Sequence, residues 1–161
     1  MGGVKVQNTH NIDRLGSSLI DLLSVLNSPR RDDALLREAG VRLDRALFPL
    51  LVALDARGSL AVAPLAGLVG RDHTTVSRQL AKLASLKLVK RSDGASDRRE
   101  TAAELTAAGS EIAHKIALAR RRLLAKALAD WSEADCRALA NLNRRFADTL
   151  LARIREAEGS G

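Results

Sequence analysis

The residues best equipped for chemistry lie between Thr74 and Arg99. At about 100° per residue, a helix starting near Asp72 gathers Thr74, Arg78, Lys82 and Ser85 on one side, flanked by Thr75 and Ala81. Val76, Leu80 and Leu83 fall on the opposite side and form an apolar stripe. The polar side carries hydroxyls, a guanidinium and an ammonium, with no large apolar group. A guanidinium can pair bidentately with a guanine edge, a threonine methyl can touch a thymine methyl, and an ammonium can meet phosphate. On this reading Arg78 and Thr75 contact bases, and Thr74, Ser77 and Lys82 support them through bases or phosphates. Taken alone, the same face also fits an ordinary solvated helix.

The downstream residues shift that balance. Leu88, Val89, Lys90 and Arg91 read as a short strand, Ser92 to Ser96 as turn formers, and Glu100 to Leu105 as a second strand. A hairpin with Arg91, Arg98 and Arg99 near its tip suits a phosphate or minor-groove contact, and Asp97 can hold one guanidinium plane. The formal net charge of +7 is concentrated here: residues 71–99 carry +5, whereas residues 1–70 and 100–161 carry +1 each. That placement implies a polyanionic partner, and a helix face able to meet major-groove base edges makes double-stranded DNA the expected one.

Other chemistries find little support. Cys136 is the single cysteine and falls on an apolar helical stripe with Leu139, where it reads as a small buried hydrophobe; an oxidant-sensing thiol is the alternative. His10, His73 and His114 share no metal-ligand spacing with one another or with Cys136, so no metal is expected. There is no glycine-rich phosphate loop, no nucleophile elbow and no paired carboxylates, so neither an enzyme nor a cofactor is expected. Phe48, Trp131 and Phe146 are the only aromatics and all read as core, which leaves no stacking platform for single-stranded RNA. A winged-helix module for protein or RNA docking remains the other alternative. The chain has no long apolar run and no signal-peptide core, so it is expected to be cytoplasmic and free of membrane.

These side chains need elements to aim them. Leu65, Ala66, Leu68 and Val69 suit a helix with Pro64 in its first turn and Gly70 at its end. Arg71 and Asp72 make the turn, and Asp72 caps a second helix running to about Leu86. Such a helix-turn-helix places its second helix in the major groove. Upstream, Ile12, Leu15, Leu19, Leu22, Leu23 and Leu26 predict a helix over Asn11–Asn27, after a frayed start. A short amphipathic helix is expected over Asp32–Ala39, another over Asp44–Arg57, and a strand at Ser59-Leu60-Ala61. Thr106 caps a long helix over Ala107–Leu128, on which Arg120, Arg121 and Arg122 read as exposed surface. Ser132 and Asp135 start a last helix, with Trp131 able to staple onto Cys136. Leu139, Leu142, Phe146, Leu150 and Ile154 form its stripe.

Several of these stretches together resemble the multiple-antibiotic-resistance regulator (MarR) family of winged-helix transcription factors. They are Leu65-Ala66, Thr75-Val76-Ser77-Arg78, Leu86-Lys87-Leu88-Val89-Lys90-Arg91, Asp97-Arg98-Arg99 and Leu105-Thr106-Ala107-Ala108-Gly109. Two departures stand out. Lys87 occupies a position that is often Gly in the family, and Ala102 and Ala103 stand where β-branched residues are usual, so a weaker wing is expected. The resemblance implies a mainly α fold with a small β-wing. Residues 32–106 would form the winged helix-turn-helix, residues 11–27 and 107–157 the helices of a homodimer, and residues 1–10 and 158–161 flexible ends. It further implies a transcriptional regulator, expected to be a repressor, that acts on a pseudo-palindromic operator and is released by a small molecule. The ligand would sit between the dimerisation helices and the winged helix, with Arg42 or Arg45 as candidate anion anchors.

Overall fold

The computed structural model describes the backbone of residues 3–92 and 102–158, and the side chains of residues 9–90 and 102–157. Helix α1 (Gly3–Leu26) starts well before the predicted Asn11. Neither Pro nor Gly interrupts Val4 to Leu15, so nothing stops the helix from propagating toward the N-terminus, and residues 3–10 are helical. Pro29 serves as the first residue of α2 (Pro29–Glu38), where its fixed φ suits the helix and its missing N–H is not needed. That helix buries Leu35 and Leu36, and Gly40 follows it at φ 65°.

Helix α3 (Phe48–Arg57) is shorter than the predicted Asp44–Arg57, for two local reasons. Pro49 cannot donate to the carbonyl four residues back, which confines it to the first turn. The Asp44 carboxylate accepts a hydrogen bond from the Ala46 backbone N–H at 2.8 Å, so residues 44–47 close as a turn instead. The chain continues through β1 (Leu60–Ala61), α4 (Val62–Val69), α5 (His73–Ser85), β2 (Val89–Ser92), β3 (Ala102–Leu105), α6 (Ala107–Ala127) and α7 (Glu133–Glu158). The three strands form one antiparallel sheet in the order β1-β3-β2. Ala103 faces Leu60 on one side and Arg91 on the other, and Ala102 faces Ala61 and Ser92. The two alanines that depart from the resembled pattern are thus buried in the central strand.

The core lies where these elements converge. Leu47, Leu50, Leu51 and Leu54 pack with Leu65 and Ala66 of α4, with Val76, Leu80 and Leu83 of α5, and with Leu88, Val89 and Ala103 of the sheet. Fully burying one such leucine contributes about 1.5–3 kcal/mol, so the apolar stripe of α5 anchors that helix firmly. Gly70 ends α4 in the left-handed region (φ 64°, ψ 39°).

At the end of α5, Lys87 takes φ 59°, and it is the only non-glycine residue with positive φ among those described. The Lys87 N–H donates to the Ala84 carbonyl (2.9 Å) and the Leu88 N–H to the Leu83 carbonyl (3.0 Å). This is the paired closure that usually has glycine at its centre. The lysine is therefore held in a strained backbone state by the core residues on either side. Lys87→Gly is expected to raise stability by about 1 kcal/mol by removing that strain, less the entropy that glycine adds to the unfolded chain. Urea denaturation checks this, and a loss of stability would contradict it.

Residues 122–161 form a separate compact unit that contains the end of α6 and α7. Ser132 caps α7: its Oγ accepts from the Asp135 N–H (3.1 Å) and donates to the Asp135 carboxylate (2.6 Å). Ion pairs Glu133–Arg137 and Arg144–Asp148 (2.6 Å) lie along its polar side. Cys136 is half-buried, not a core residue as expected, because the stripe it shares with Leu139 faces outward in the single chain. Leu142, Leu150, Leu151 and Ile154 are exposed on the same helix, as are Ile12, Leu15, Leu22, Leu23 and Leu26 on α1.

Candidate nucleic-acid interface

Asp72 stands before α5 with extended backbone (φ −69°, ψ 154°) and accepts the Thr75 backbone N–H at 2.8 Å. The Thr75 hydroxyl donates to the other carboxylate oxygen at 2.6 Å. These two bonds, the hydroxyl bond foremost, hold the Asp72 carboxyl below its usual value of 3.8. A depressed folded-state pKa means that the cap stabilises fully above the ordinary carboxylate range. The contribution is lost only as pH falls through the lower, folded value. Asp72→Ala is accordingly expected to lower the melting temperature by a few degrees at neutral pH, with the difference from wild type closing below the carboxylate range. Asp72→Ser should restore most of the loss. Melting curves across acid and neutral pH check both statements.

Beyond the cap, α5 turns one face to the core and the other outward. Thr74, Ser77, Arg78 and Lys82 are exposed, while Thr75 is half-buried. From Thr74 to Lys82 the helix rises about 12 Å, comparable with the width of a major groove. Among the described residues, no carboxylate lies within ion-pair distance of Arg78 or Lys82, so both heads are available to a ligand. The Thr75 hydroxyl proton is committed to Asp72. Its methyl group and remaining lone pair are what it can offer.

The wing is described only in part. Lys90 pairs with Glu104 at 2.9 Å across the strands, in the register that sets them opposite each other. Arg91 lies on β2 opposite Ala103. Asp97, Arg98 and Arg99 lie outside the described residues. The suggested anion anchors occupy the segment before α3. Arg42 and Arg45 are both exposed, and Arg45 Nη1 lies 3.9 Å from Asp33 Oδ2. Among the described residues, no group of His, Cys, Asp and Glu is arranged to hold a metal ion, and no helix is long and apolar enough to cross a membrane.

One polar residue in this region escaped the sequence reading. Arg71 looked like a turn residue, yet its guanidinium is half-buried and Nη1 donates to both the Ala46 carbonyl (2.5 Å) and Gln79 Oε1 (2.8 Å). Its first partner lies 25 residues away in sequence, beyond the reach of any local pattern. The only available signal was the half-apolar surroundings of Gln79, between Leu80 and the polar face.

Comparison with known proteins bears on this architecture. A family model described as HVO_A0114 matches residues 42–103, from the turn before α3 to β3. No curated protein sequence matches the chain. Among solved structures, that of MarR is 24% identical with a TM-score of 0.72, covering 86% of this chain and 94% of its own. A MarR family protein from Bacillus stearothermophilus is 20% identical with a TM-score of 0.70, covering 86% and 97%. NadR, solved in complex with 4-hydroxyphenylacetate, is 19% identical with a TM-score of 0.64, covering 83% and 92%. The architecture of this chain is that of the MarR-family winged-helix transcription regulators.

Proposed function

We propose that the protein is a sequence-specific, double-stranded DNA-binding repressor of transcription, acting as a homodimer. One observation carries this reading: the outward face of α5 is basic, with no carboxylate within ion-pair distance of Arg78 or Lys82 among the described residues, and it lies within the stretch of the chain that holds most of the excess positive charge. A helix-turn-helix of this form presents its second helix to base edges, with Arg78 and the Thr75 methyl as readers. Thr74, Ser77 and Lys82 support them at bases or phosphates. Arg91, Arg98 and Arg99 serve the wing, with Asp97 orienting one guanidinium. The exposed apolar stripes of α1 and α7 support a dimer, since surface of this kind is ordinarily covered by a partner. Two copies would read a pseudo-palindrome with half-sites about 34–36 Å apart.

We infer further that a small molecule releases the protein from DNA. A ligand that favours a different separation of the two reading helices weakens DNA binding by its differential affinity for the two arrangements. NadR, a protein of the same fold, has been solved with 4-hydroxyphenylacetate. An aromatic carboxylate is thus a reasonable first probe, with Arg42 or Arg45 as the anchor for its charge.

The test is selection from a random duplex library, followed by titration of the enriched sequence in salt. Affinity should fall by about 10³–10⁵ between about 50 and 200 mM salt if some 6–10 phosphates are contacted. Sedimentation should show a species of twice 17.3 kDa. An unenriched library, or affinity indifferent to salt, would overturn the DNA reading, and a 17.3 kDa species alone would overturn the dimer.

A further inference from the structure

Arg71 joins three segments through a single nitrogen. It belongs to the turn between α4 and α5. It donates to the Ala46 carbonyl in the turn ahead of α3, and to the Gln79 side chain on α5. The Ala46 peptide is fixed from its other side too, since its N–H is held by the Asp44 carboxylate at 2.8 Å. Because Nη1 spends both of its hydrogens on these two acceptors, its position is fixed and the guanidinium plane is restricted. Gln79 directly follows Arg78 and is half-buried, on the flank of α5 between the apolar stripe and the outward face. Pinning Gln79 resists rotation of α5 about its own axis. The stripe of Val76, Leu80 and Leu83 resists translation but, being made of rounded aliphatic groups, selects rotation less sharply.

We propose that Arg71 is a positioning residue that sets the rotation of α5, and hence the aim of Arg78, by clasping Gln79 to the turn at residues 44–47. The proposal rests on the DNA-reading role of α5. Arg71 touches no base. It acts on the accuracy with which Arg78 meets one, so its loss lowers discrimination between sequences more than it lowers affinity for DNA in general. The clasp also ties α5 to the segment that carries Arg42 and Arg45. A displacement of that turn is transmitted to the reading helix through one side chain.

The experiment uses the full-length protein and a duplex enriched from a random library. It compares wild type, Arg71→Ala, Gln79→Leu, Gln79→Glu and the double variant Arg71→Ala/Gln79→Leu. Each is measured for thermal unfolding, affinity for the enriched duplex and affinity for a scrambled duplex. The ratio of the two affinities should drop about tenfold in Gln79→Leu with scrambled-duplex affinity little changed, while the melting temperature falls by the loss of one hydrogen bond and the variant stays folded. The double variant should be no worse than Arg71→Ala, because both changes cut the same contact. Gln79→Glu keeps an acceptor for Arg71 and adds a negative charge, so both affinities should fall together while their ratio is retained. An unchanged ratio in folded Arg71→Ala and Gln79→Leu, or additive losses in the double variant, would overturn the proposal. Slowed hydrogen exchange of the Arg71 guanidinium protons in DNA-free protein reports the clasp independently. If exchange is slowed but no duplex is preferred by wild type, the DNA reading fails while the clasp stands as a structural contact only. If exchange is fast, the clasp itself is absent.

Discussion

Gly109→Ala is expected to destabilise the protein by about 3 kcal/mol, a large fraction of the roughly 5–15 kcal/mol by which a domain is ordinarily stable. The expectation runs against helix propensity, by which alanine inside a helix is favoured over glycine by about 0.5–1 kcal/mol. Geometry decides the sign. A Cβ on Gly109 would lie 2.0 Å from the Leu88 carbonyl oxygen and 3.0 Å from the Leu88 carbonyl carbon. These are backbone atoms with commitments of their own. The Leu88 oxygen accepts the Thr106 N–H at 3.1 Å, and the Leu88 N–H closes the end of α5 on Leu83. Thr106 adds two further ties, donating from Oγ1 to the Lys87 carbonyl (2.7 Å) and accepting the Gly109 N–H (3.1 Å). The first turn of α6 is thus clamped against the strand entering the wing, and the methyl group has no direction in which to relax. Equilibrium urea denaturation measures the loss. A Gly109→Ala protein within about 1 kcal/mol of wild type would show that this approach is looser than described.

Arg78→Ala is expected to cost about 1–3 kcal/mol of affinity for the preferred duplex and to relax specificity at one base position. The side chain projects from the outward face of α5 with no carboxylate within ion-pair distance among the described residues, so its hydrogen-bonding fork is available to a guanine edge. Lys82→Ala, one turn further along, should weaken all duplexes more evenly and reduce the salt dependence by about one counterion. Competition binding against single-base variants of the enriched duplex separates the two behaviours. An Arg78→Ala protein with unchanged affinity and specificity would remove Arg78 from the base-reading set.

Much of the architecture was legible because it depends on neighbours in sequence. The stripe of Val76, Leu80 and Leu83 is an angular fact about one helix, and all three are buried. The cap at Asp72, the stop at Gly70 and the cap at Ser132 each act over two to four residues, and each appears as read. The starts of α1 and α3 differ from the predicted ones for opposite reasons. At α1 the helix runs back to Gly3, because no helix breaker stands between Val4 and the predicted start at Asn11. At α3 the periodic pattern runs back to Asp44, but the Asp44 carboxylate closes a turn and Pro49 fits only the first turn of a helix, so the helix starts at Phe48.

What the sequence by itself determined was the set of helices, the inward face of α5, and the concentration of positive charge on the second helix of the turn and the segment after it. Periodicity, capping and formal charge are properties of contiguous residues, so no fold is needed to compute them. What only the tertiary structure decided were the close approaches between segments distant in sequence. Gly109 must lack a side chain because Leu88 crosses it, Lys87 must hold a positive φ because Leu83 and Leu88 are both drawn into the core, and Arg71 reaches Ala46 across 25 residues. Such contacts arise from how packed elements meet in space, and they impose requirements on single residues that no local pattern encodes.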